Sequence, residues 1–215
     1  HHPHTKFQYI ATTLNPYFEG NKLGNMILDD RFILHTLENW FFGETYNGDI
    51  LEVTNIKSLL AHCQDLEINL VTCDGSIDCL DEPENQELIV SKLHIAELVT
   101  ALALLSNNGS LLLKIFTFFE LTTVSMLYVL NCCFTSVHLF KPACSKEGNS
   151  EVYVIAIGYK KDIFTGAHIE KILANLHSTN KSLLPLNVIP PDFLMQVTNA
   201  ARFFMNQQVM VIENN

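Results

Sequence analysis

The stretch LVTCDGSIDC, from Leu70 to Cys79, is the part of the chain that decides the fold. It begins as an apolar run and stops on Asp74, which Gly75 and Ser76 follow at once. An apolar run of this kind is typical of a strand buried in a parallel sheet. Open α/β sheets keep their sites at the carboxyl ends of such strands, so the sequence predicts that Asp74 lies at a functional edge.

Strand-like and helix-like segments alternate on both sides of this run, which favours an α/β fold. Asp49–Leu51 is predicted to be a further brief extended piece, and residues 107–109 are predicted to end the long central helix. The predicted strands are residues 7–13, 68–73, 110–116, 136–140 and 151–157, and the predicted helices are residues 29–42, 55–63, 86–105, 122–133 and 167–176 with a final helical stretch after residue 191.

The last two predicted strands, 136–140 and 151–157, are joined by a loop too short for a crossover helix, so we expect them to pair antiparallel. The sequence therefore predicts a mostly parallel sheet with a terminal antiparallel hairpin. Beyond residue 160 the strand pattern gives way to helices. We divide the chain into a core, residues 1–160, and a helical C-terminal extension of the same domain, residues 161–215.

Composition limits the classes of function. Thirteen Lys and Arg against 23 Asp and Glu give a formal charge of -10, so a nucleic-acid site must be a local groove rather than a basic surface. The six cysteines include the adjacent pair Cys132 and Cys133 in an apolar segment, which favours a reducing compartment, the nucleus or the cytoplasm. The apolar runs are too short to cross a membrane, and the spacing of Cys73 and Cys79 is not that of a zinc site.

Three ionisable residues stand inside or beside apolar strands: Asp74, Lys114 within SLLLKIF, and Glu151 at the start of EVYVIAIG. Burial of an unpaired charge costs several kcal/mol, so each residue needs a partner or a function. Taken singly, each is explained more readily as a structural ion pair or a solvated strand end. Taken together, the three favour a catalytic group.

Three blocks occur in a recognisable order: Asp-Gly-Ser after an apolar strand, then NNGSLLLKIF at 107–116, then FKPACSKEGNSEVYVIAIG at 140–158. In this order they resemble the FtsJ-type, Rossmann-fold 2'-O-ribose methyltransferases. The upstream segments TLNPYFEGN, DDRF, NWFFG and NGDI extend the likeness to nearly the whole chain, and they are most similar to cap-specific members of the family. The resemblance implies methylation of the ribose 2'-hydroxyl of the second transcribed nucleotide of capped mRNA, with S-adenosylmethionine as cofactor.

The family uses a Lys-Asp-Lys-Glu tetrad, and the resemblance assigns its aspartate to Asp74, its second lysine to Lys114 and its glutamate to Glu151. In the family the second lysine takes the proton from the ribose 2'-hydroxyl. Neighbouring carboxylates favour the charged form of a lysine, so a second positive charge is needed to offset them. The resemblance assigns that task to the first lysine of the tetrad, which has no counterpart here.

The glycine-rich cofactor loop of the family also has no counterpart, because none of the nine glycines lie two residues apart. We expect that loop, the first lysine and the N-terminal first strand of the sheet to lie upstream, so that this chain is a fragment. The remaining cofactor contacts implied by the resemblance are Thr13, Asp49, Ile50 and Asp74. Asn-Gly-Asp commonly closes a turn, and for Asp49 this alternative stays open.

The same resemblance implies that the loop between the closing strands binds the RNA substrate. Taken without the resemblance, the residues of this loop also suit a solvated loop. Its candidate RNA-binding residues are Lys141, Ser145, Lys146, Asn149 and Ser150.

An alternative function is a catalytically silent RNA-binding or scaffolding module that keeps the fold. The absence of the glycine-rich loop favours this alternative. The retention of Asp74, Lys114 and Glu151 favours the enzyme, because a silent module has no use for a buried lysine between two acids.

Overall fold

The computed structural model describes residues 7–143, 145, 148–177 and 182–214. The chain divides into two units, His1–Cys63 and Gln64–Asn215. The division of the chain at residue 160 into a core and a helical extension stays a prediction.

In its described residues the first unit contains helices α1 (Arg31–His35) and α2 (Val53–His62), and 3-10 turns at Leu23–Asn25 and Leu37–Asn39. The strand predicted at residues 7–13 is wrong. A strand needs a neighbour that supplies a ladder of hydrogen bonds, and in the described part of this segment only Ala11 forms a bridge, with Trp40. The Ala11 amide donates to the Asn39 carbonyl and the Ala11 carbonyl accepts from Phe41, both at 2.8 Å.

The helix predicted at residues 29–42 is shorter than expected, because α1 ends at His35. Thr36 stops it: its backbone leaves the helical region, and its hydroxyl donates to the Phe32 carbonyl at 2.6 Å. A side chain that bonds to the preceding turn competes with the backbone ladder of the helix. The prediction of helix α2 is confirmed to within two residues.

A buried asparagine, Asn55 in α2, holds the loop before the helix in shape. Its amide nitrogen donates to the Asn47 side chain at 2.8 Å and to the Asp49 carbonyl at 3.0 Å. Gly48 in the same loop has φ +75°, and a Cβ there would lie 1.8 Å from the Thr13 carbonyl oxygen. Only glycine fits this position, since both the positive φ and the close approach exclude a side chain.

The second unit is built on a four-stranded sheet with the order β1-β2-β4-β3. Strand β1 pairs parallel with β2, and β4 pairs antiparallel with both β2 and β3. Three strands therefore run in one direction and β4 in the other, which confirms the mostly parallel sheet with a closing antiparallel hairpin. The strands are β1 Ile68–Cys73, β2 Leu105–Ile115, β3 Phe134–Phe140 and β4 Val152–Tyr159.

Where the second unit is described, the α-helices that accompany the sheet are α3 (Gln86–Leu104), α4 (Leu121–Cys133), α5 (Gly166–Leu173) and α6 (Pro191–Glu213). Helix α3 is buried along most of its length, as its wide apolar stripe predicts. The buried carboxylate of Glu87 in α3 accepts hydrogen bonds from the Thr117 hydroxyl and from the Phe119 and Glu120 amides, at 2.6–3.0 Å. Glu87 thus joins α3 to the chain between β2 and α4.

The predicted helix stop at residues 107–109 is wrong. Helix α3 ends at Leu104 and β2 begins at Leu105 with no loop between them. The Asn-Asn-Gly sequence lies inside β2, where Asn108 has φ +68° and the pairing of β2 with β1 shifts register. A single left-handed residue within a strand is typical of a bulge, which the turn-forming residues produce here instead of a helix end.

Strand β1 is less buried than its apolar sequence predicts. Among the described strands it pairs with β2 alone, so it is an outer strand of the sheet. Leu70 is 61% exposed, whereas Cys73 at the end of the strand is buried.

Replacement of Gly48 with alanine should destabilise the first unit by at least about 1–2 kcal/mol, because an L-residue resists positive φ and the new Cβ meets the Thr13 carbonyl. The single tryptophan, Trp40, reports on this unit, so urea unfolding followed by tryptophan fluorescence measures the change. Gly24→Ala is the matched control, since a Cβ at Gly24 meets nothing within 4 Å. Equal midpoints for the two variants would contradict the constraint at Gly48.

Candidate functional site

The three predicted catalytic residues lie at one edge of the sheet. Asp74 follows the last residue of β1, and Lys114 is the penultimate residue of β2. Glu151 directly precedes β4. Because β4 runs against β2, its first residues lie beside the carboxyl ends of β1 and β2. This is the edge at which sheets of this class hold their sites.

Lys114 and Asp74 form the central contact of this edge. The Lys114 Nζ donates to Asp74 Oδ1 and to the Asp74 backbone carbonyl, each at 2.9 Å. Lys114 is only 8% exposed, whereas the Asp74 side chain is 68% exposed. Tyr153, which lies opposite Lys114 in the pairing of β2 with β4, donates its hydroxyl to the same Asp74 oxygen at 3.1 Å. A buried cation is thus compensated by a carboxylate that reaches solvent.

Glu97 of α3 supports this contact from the protein interior. Its Oε1 accepts a hydrogen bond from the Gly75 amide at 2.8 Å, and the residue is 7% exposed. A Cβ on Gly75 would lie 2.6 Å from the same oxygen, so a glycine after Asp74 lets α3 approach the backbone at Asp74 and Gly75. Burial raises the pKa of Glu97 to about 7, although the Gly75 amide and the Lys114 charge oppose this effect.

His94, one turn earlier on α3, is 2% exposed and its ring stacks on Phe116 with ring centres 6.1 Å apart. Burial and the charge of Lys114 lower the pKa of His94 to about 4, which keeps the ring neutral at physiological pH. Within the described residues, His94 Nε2, Glu97 Oε2 and Thr100 Oγ1 are buried without a hydrogen-bond partner. These residues form a polar strip on α3.

Sequence reasoning missed both Glu97 and His94. A charged residue within the apolar run of a buried helix was the signal that could have identified Glu97. Its contact with Gly75 depends on the packing of α3 against the sheet, which the helical period alone does not give.

The candidate substrate loop is held together by Lys141. Its Nζ donates to the Asn149 carbonyl at 2.9 Å, to Asn149 Oδ1 at 2.7 Å and to the Glu151 carbonyl at 2.9 Å. Ser145 donates its hydroxyl to Glu151 Oε1 at 3.0 Å. All three protons of the Lys141 ammonium are therefore used inside the loop, and burial lowers the pKa of Lys141 while Glu151 opposes that shift. Ser150 donates to Gln86 Oε1 at 3.2 Å, and Lys146 lies outside the described residues.

The other candidate cofactor residues, Thr13, Asp49 and Ile50, belong to the first unit. They meet in one loop cluster, because the Thr13 carbonyl lies against Gly48. Asp49 Oδ1 accepts a hydrogen bond from the Leu51 amide at 2.8 Å, which is the turn-closing use of the residue. The extended piece predicted at Asp49–Leu51 is therefore wrong, and the role of Asp49 toward a cofactor stays a prediction.

The described residues contain no group of three or more His, Cys, Asp or Glu side chains arranged to hold a metal ion. None of the helices within them has the length and apolarity needed to cross a bilayer. Five cysteines are described, and all five are free thiols.

Comparison with known proteins adds to this geometry. The family described as FtsJ-like methyltransferase matches residues 7–159. The chain is 49% identical to cap-specific mRNA (nucleoside-2'-O-)-methyltransferase 2 of Drosophila melanogaster, with 98% of this chain and 31% of that protein covered. It is 42% identical to the protein of the same name from Pongo abelii, with 97% of this chain and 28% of that protein covered.

A cap-specific mRNA (nucleoside-2'-O-)-methyltransferase 1 from Caenorhabditis elegans is 27% identical over 80% of this chain and 20% of that protein. The chain thus spans about a third or less of the length of the curated relatives it matches.

Replacement of Lys141 with methionine should loosen the loop from 141 to 151, because it removes three donors and leaves the Asn149 and Glu151 carbonyls without them. We expect a loss of about 1–3 kcal/mol in the free energy of unfolding and faster amide hydrogen exchange in the loop. The matched control is Lys161→Met, since Lys161 is exposed. Unchanged exchange at residues 148–151 would show that Lys141 does not hold the loop.

The raised pKa of Glu97 predicts a pH-dependent stability. A carboxyl group whose pKa rises from 4.5 in the unfolded chain to about 7 in the folded chain contributes stability that is complete below pH 4.5. That contribution is lost as the pH rises through 7. Relative to Glu97→Gln, the wild type should therefore lose roughly 2–4 kcal/mol between these values.

Urea unfolding of both proteins, followed by circular dichroism at several pH values, measures this difference. His94 and the other titrating groups are present in both proteins, so the difference between the two curves reports on Glu97 and on the groups coupled to it. A difference that stays constant from pH 4.5 to 7.5 would contradict the pKa of Glu97.

Proposed function

The chain belongs to the FtsJ-like methyltransferase family, and on this premise we propose that it carries catalytic residues of a cap-specific RNA 2'-O-methyltransferase. The reaction we propose is methylation of the ribose 2'-hydroxyl of the second transcribed nucleotide of capped mRNA. The observation that carries the proposal is the buried Lys114 bound to Asp74 at the carboxyl edge of the sheet. The names of the relatives at 49% and 42% identity support the choice of capped mRNA as substrate.

Lys114 has the hydrogen-bond geometry that a base in this reaction requires. A neutral amine has two N–H donors and one lone pair. The two contacts with Asp74, at Oδ1 and at the backbone carbonyl, use two donors and leave the third position of Nζ open. A ribose hydroxyl bound at that position would give its proton to Nζ as its oxygen bonds to the methyl carbon of the cofactor, while the methyl–sulfur bond breaks and the neutral thioether leaves. The Asp74 carboxylate would stabilise the ammonium that forms on Lys114.

Asp74 is also suited to a contact with the cofactor. Methyltransferases of the FtsJ-like type generally use S-adenosylmethionine, which supplies a methyl group bound to a positively charged sulfur. The exposed Asp74 carboxylate lies at the same edge and complements such a charge. We propose Thr13, Asp49 and Ile50 as further cofactor contacts. The fit is partial, since this chain has no Gly-x-Gly sequence for a close backbone approach.

We propose that the loop before β4 meets the RNA. Ser145, Asn149 and Ser150 are polar groups on this loop, and Ser145 donates to Glu151, the residue that directly precedes β4. The ammonium of Lys141 is occupied by loop carbonyls, so a contact between Lys141 and RNA phosphate requires exchange of one of those bonds. The main contribution of Lys141 is therefore to hold the loop in shape.

The nucleus or the cytoplasm is the location we propose. The free thiols of the described cysteines are consistent with a reducing compartment.

Replacement of Lys114 with methionine should lower the rate of methyl transfer to capped RNA by at least about 100-fold, because it removes the base and keeps an apolar side chain of similar length. S-adenosylmethionine affinity, measured by calorimetry, should change little, and Lys161→Met should leave both quantities unchanged. Near-normal turnover by Lys114→Met would remove Lys114 from the mechanism. Binding of capped RNA by a wild-type chain that transfers no methyl group would support the silent module instead.

A further inference from the structure

We propose that Glu97 is a positioning residue for the Asp74–Lys114 pair: one carboxylate oxygen holds the Asp74–Gly75 turn, and its protonation controls the charge balance around Lys114. This inference rests on the proposed function, because it assigns Glu97 a role in the reaction of that pair. It extends the site inward, from the exposed edge of the sheet to a side chain on the buried helix α3.

The first support is a continuous chain of contacts. Lys114 Nζ binds both the carboxylate and the backbone carbonyl of Asp74, and the next amide in the chain, that of Gly75, donates to Glu97 Oε1 at 2.8 Å. The carbonyl of Asp74 and the amide of Gly75 belong to the same peptide group. A shift of Glu97 therefore moves the peptide that Lys114 itself binds.

The second support is the lack of free space at this point. Glu97 Oε1 would lie 2.6 Å, and Leu93 Cδ2 3.1 Å, from a Cβ on Gly75, so the turn rests directly on α3. Close packing of this kind transmits small displacements, since interiors have few voids in which to absorb them. The position of Asp74 thus depends on the side chain beneath it.

The third support is the unsatisfied oxygen of Glu97. Its Oε2 is buried without a partner in the described residues, which disfavours the ionised form and makes the carboxyl group sensitive to the charges nearby. A protonated Glu97 leaves Lys114 with the Asp74 carboxylate alone. An ionised Glu97 adds a second negative charge, which favours the ammonium form of Lys114 and opposes its action as a base.

The titratable groups around Glu97 and the Asp74–Lys114 pair come from four elements. His94 lies on α3, Cys73 at the end of β1, and Tyr153 on β4, together with Asp74 and Lys114. Burial lowers the pKa of His94 to about 4 and raises the pKa of the Cys73 thiol well above its usual value, so both stay neutral from pH 6 to 9. Within that range the pKa of Glu97, about 7, makes it the group whose charge changes first beneath the pair.

The test compares Glu97→Gln and Glu97→Leu with the wild type, using the full chain. Glu97→Gln keeps an oxygen acceptor for the Gly75 amide and removes the charge, whereas Glu97→Leu removes both. Glu67→Gln is the matched control, because Glu67 is exposed just before β1. Each protein is measured by kinetics on capped RNA and by NMR of lysine Cε signals, with the Lys114 signal assigned through Lys114→Met.

In the kinetic measurement we expect the kcat/KM of Glu97→Gln to equal that of the wild type near pH 6. By pH 9 it should exceed the wild type by about threefold to tenfold, because the wild type then carries the second negative charge. Glu97→Leu should lose about tenfold or more in kcat across the whole range, since the turn that holds Asp74 loses its support. A constant ratio of Glu97→Gln to wild type across pH would overturn the proposal.

The NMR measurement needs no methyl transfer, and so it separates this inference from the proposed function. The Lys114 Cε signal of the wild type should show a chemical-shift step near pH 7, where Glu97 changes its charge. Glu67→Gln should keep this step and Glu97→Gln should lose it. A step that persists in Glu97→Gln would overturn the inference even in an active enzyme. Loss of the step in a chain without methyl transfer would support the coupling of Glu97 to Lys114 and contradict the proposed reaction alone.

Discussion

A lysine buried at the end of a central strand imposes the main constraint on this structure. Lys114 lies in a run of leucines on β2, where an unpaired ammonium would cost several kcal/mol. The compensation comes from Asp74, which reaches Lys114 only because β1 pairs parallel with β2 and ends beside it. The register of that pairing, the glycine after Asp74 and the approach of α3 are all needed for this one contact.

The reversed strand β4 completes the site by changing which residues share an edge. In an all-parallel sheet, the first residues of a strand lie at the edge opposite the carboxyl ends of its neighbours. Because β4 runs antiparallel to β2, Glu151 and the loop before it lie beside Asp74 and Lys114. The same reversal lets Tyr153 reach the Asp74 carboxylate from the position opposite Lys114. Topology thus gathers side chains that are up to 79 residues apart in sequence.

The second unit was largely predictable from sequence, whereas in the first unit helix α2 was predictable and the strand predicted at residues 7–13 was wrong. Apolar period and length identify β1, α3 and the closing hairpin, although β1 is less buried than its sequence predicts. Residues 7–13 have the composition of a strand, yet only Ala11 forms a bridge there, and composition cannot supply a pairing partner. Asp74 and Lys114 were predictable as unusual charges in apolar runs. Glu97 was not, because its role depends on which face of α3 packs against Gly75.

The direct junction of α3 with β2 has a mechanical consequence. Leu104 is the last helical residue and Leu105 the first of the strand, so no loop separates the helix that carries Glu97 from the strand that carries Lys114. This junction restrains rotation of α3 relative to the start of β2. The position of Glu97 relative to Lys114 is therefore set by the covalent chain as well as by the hydrogen bond to Gly75.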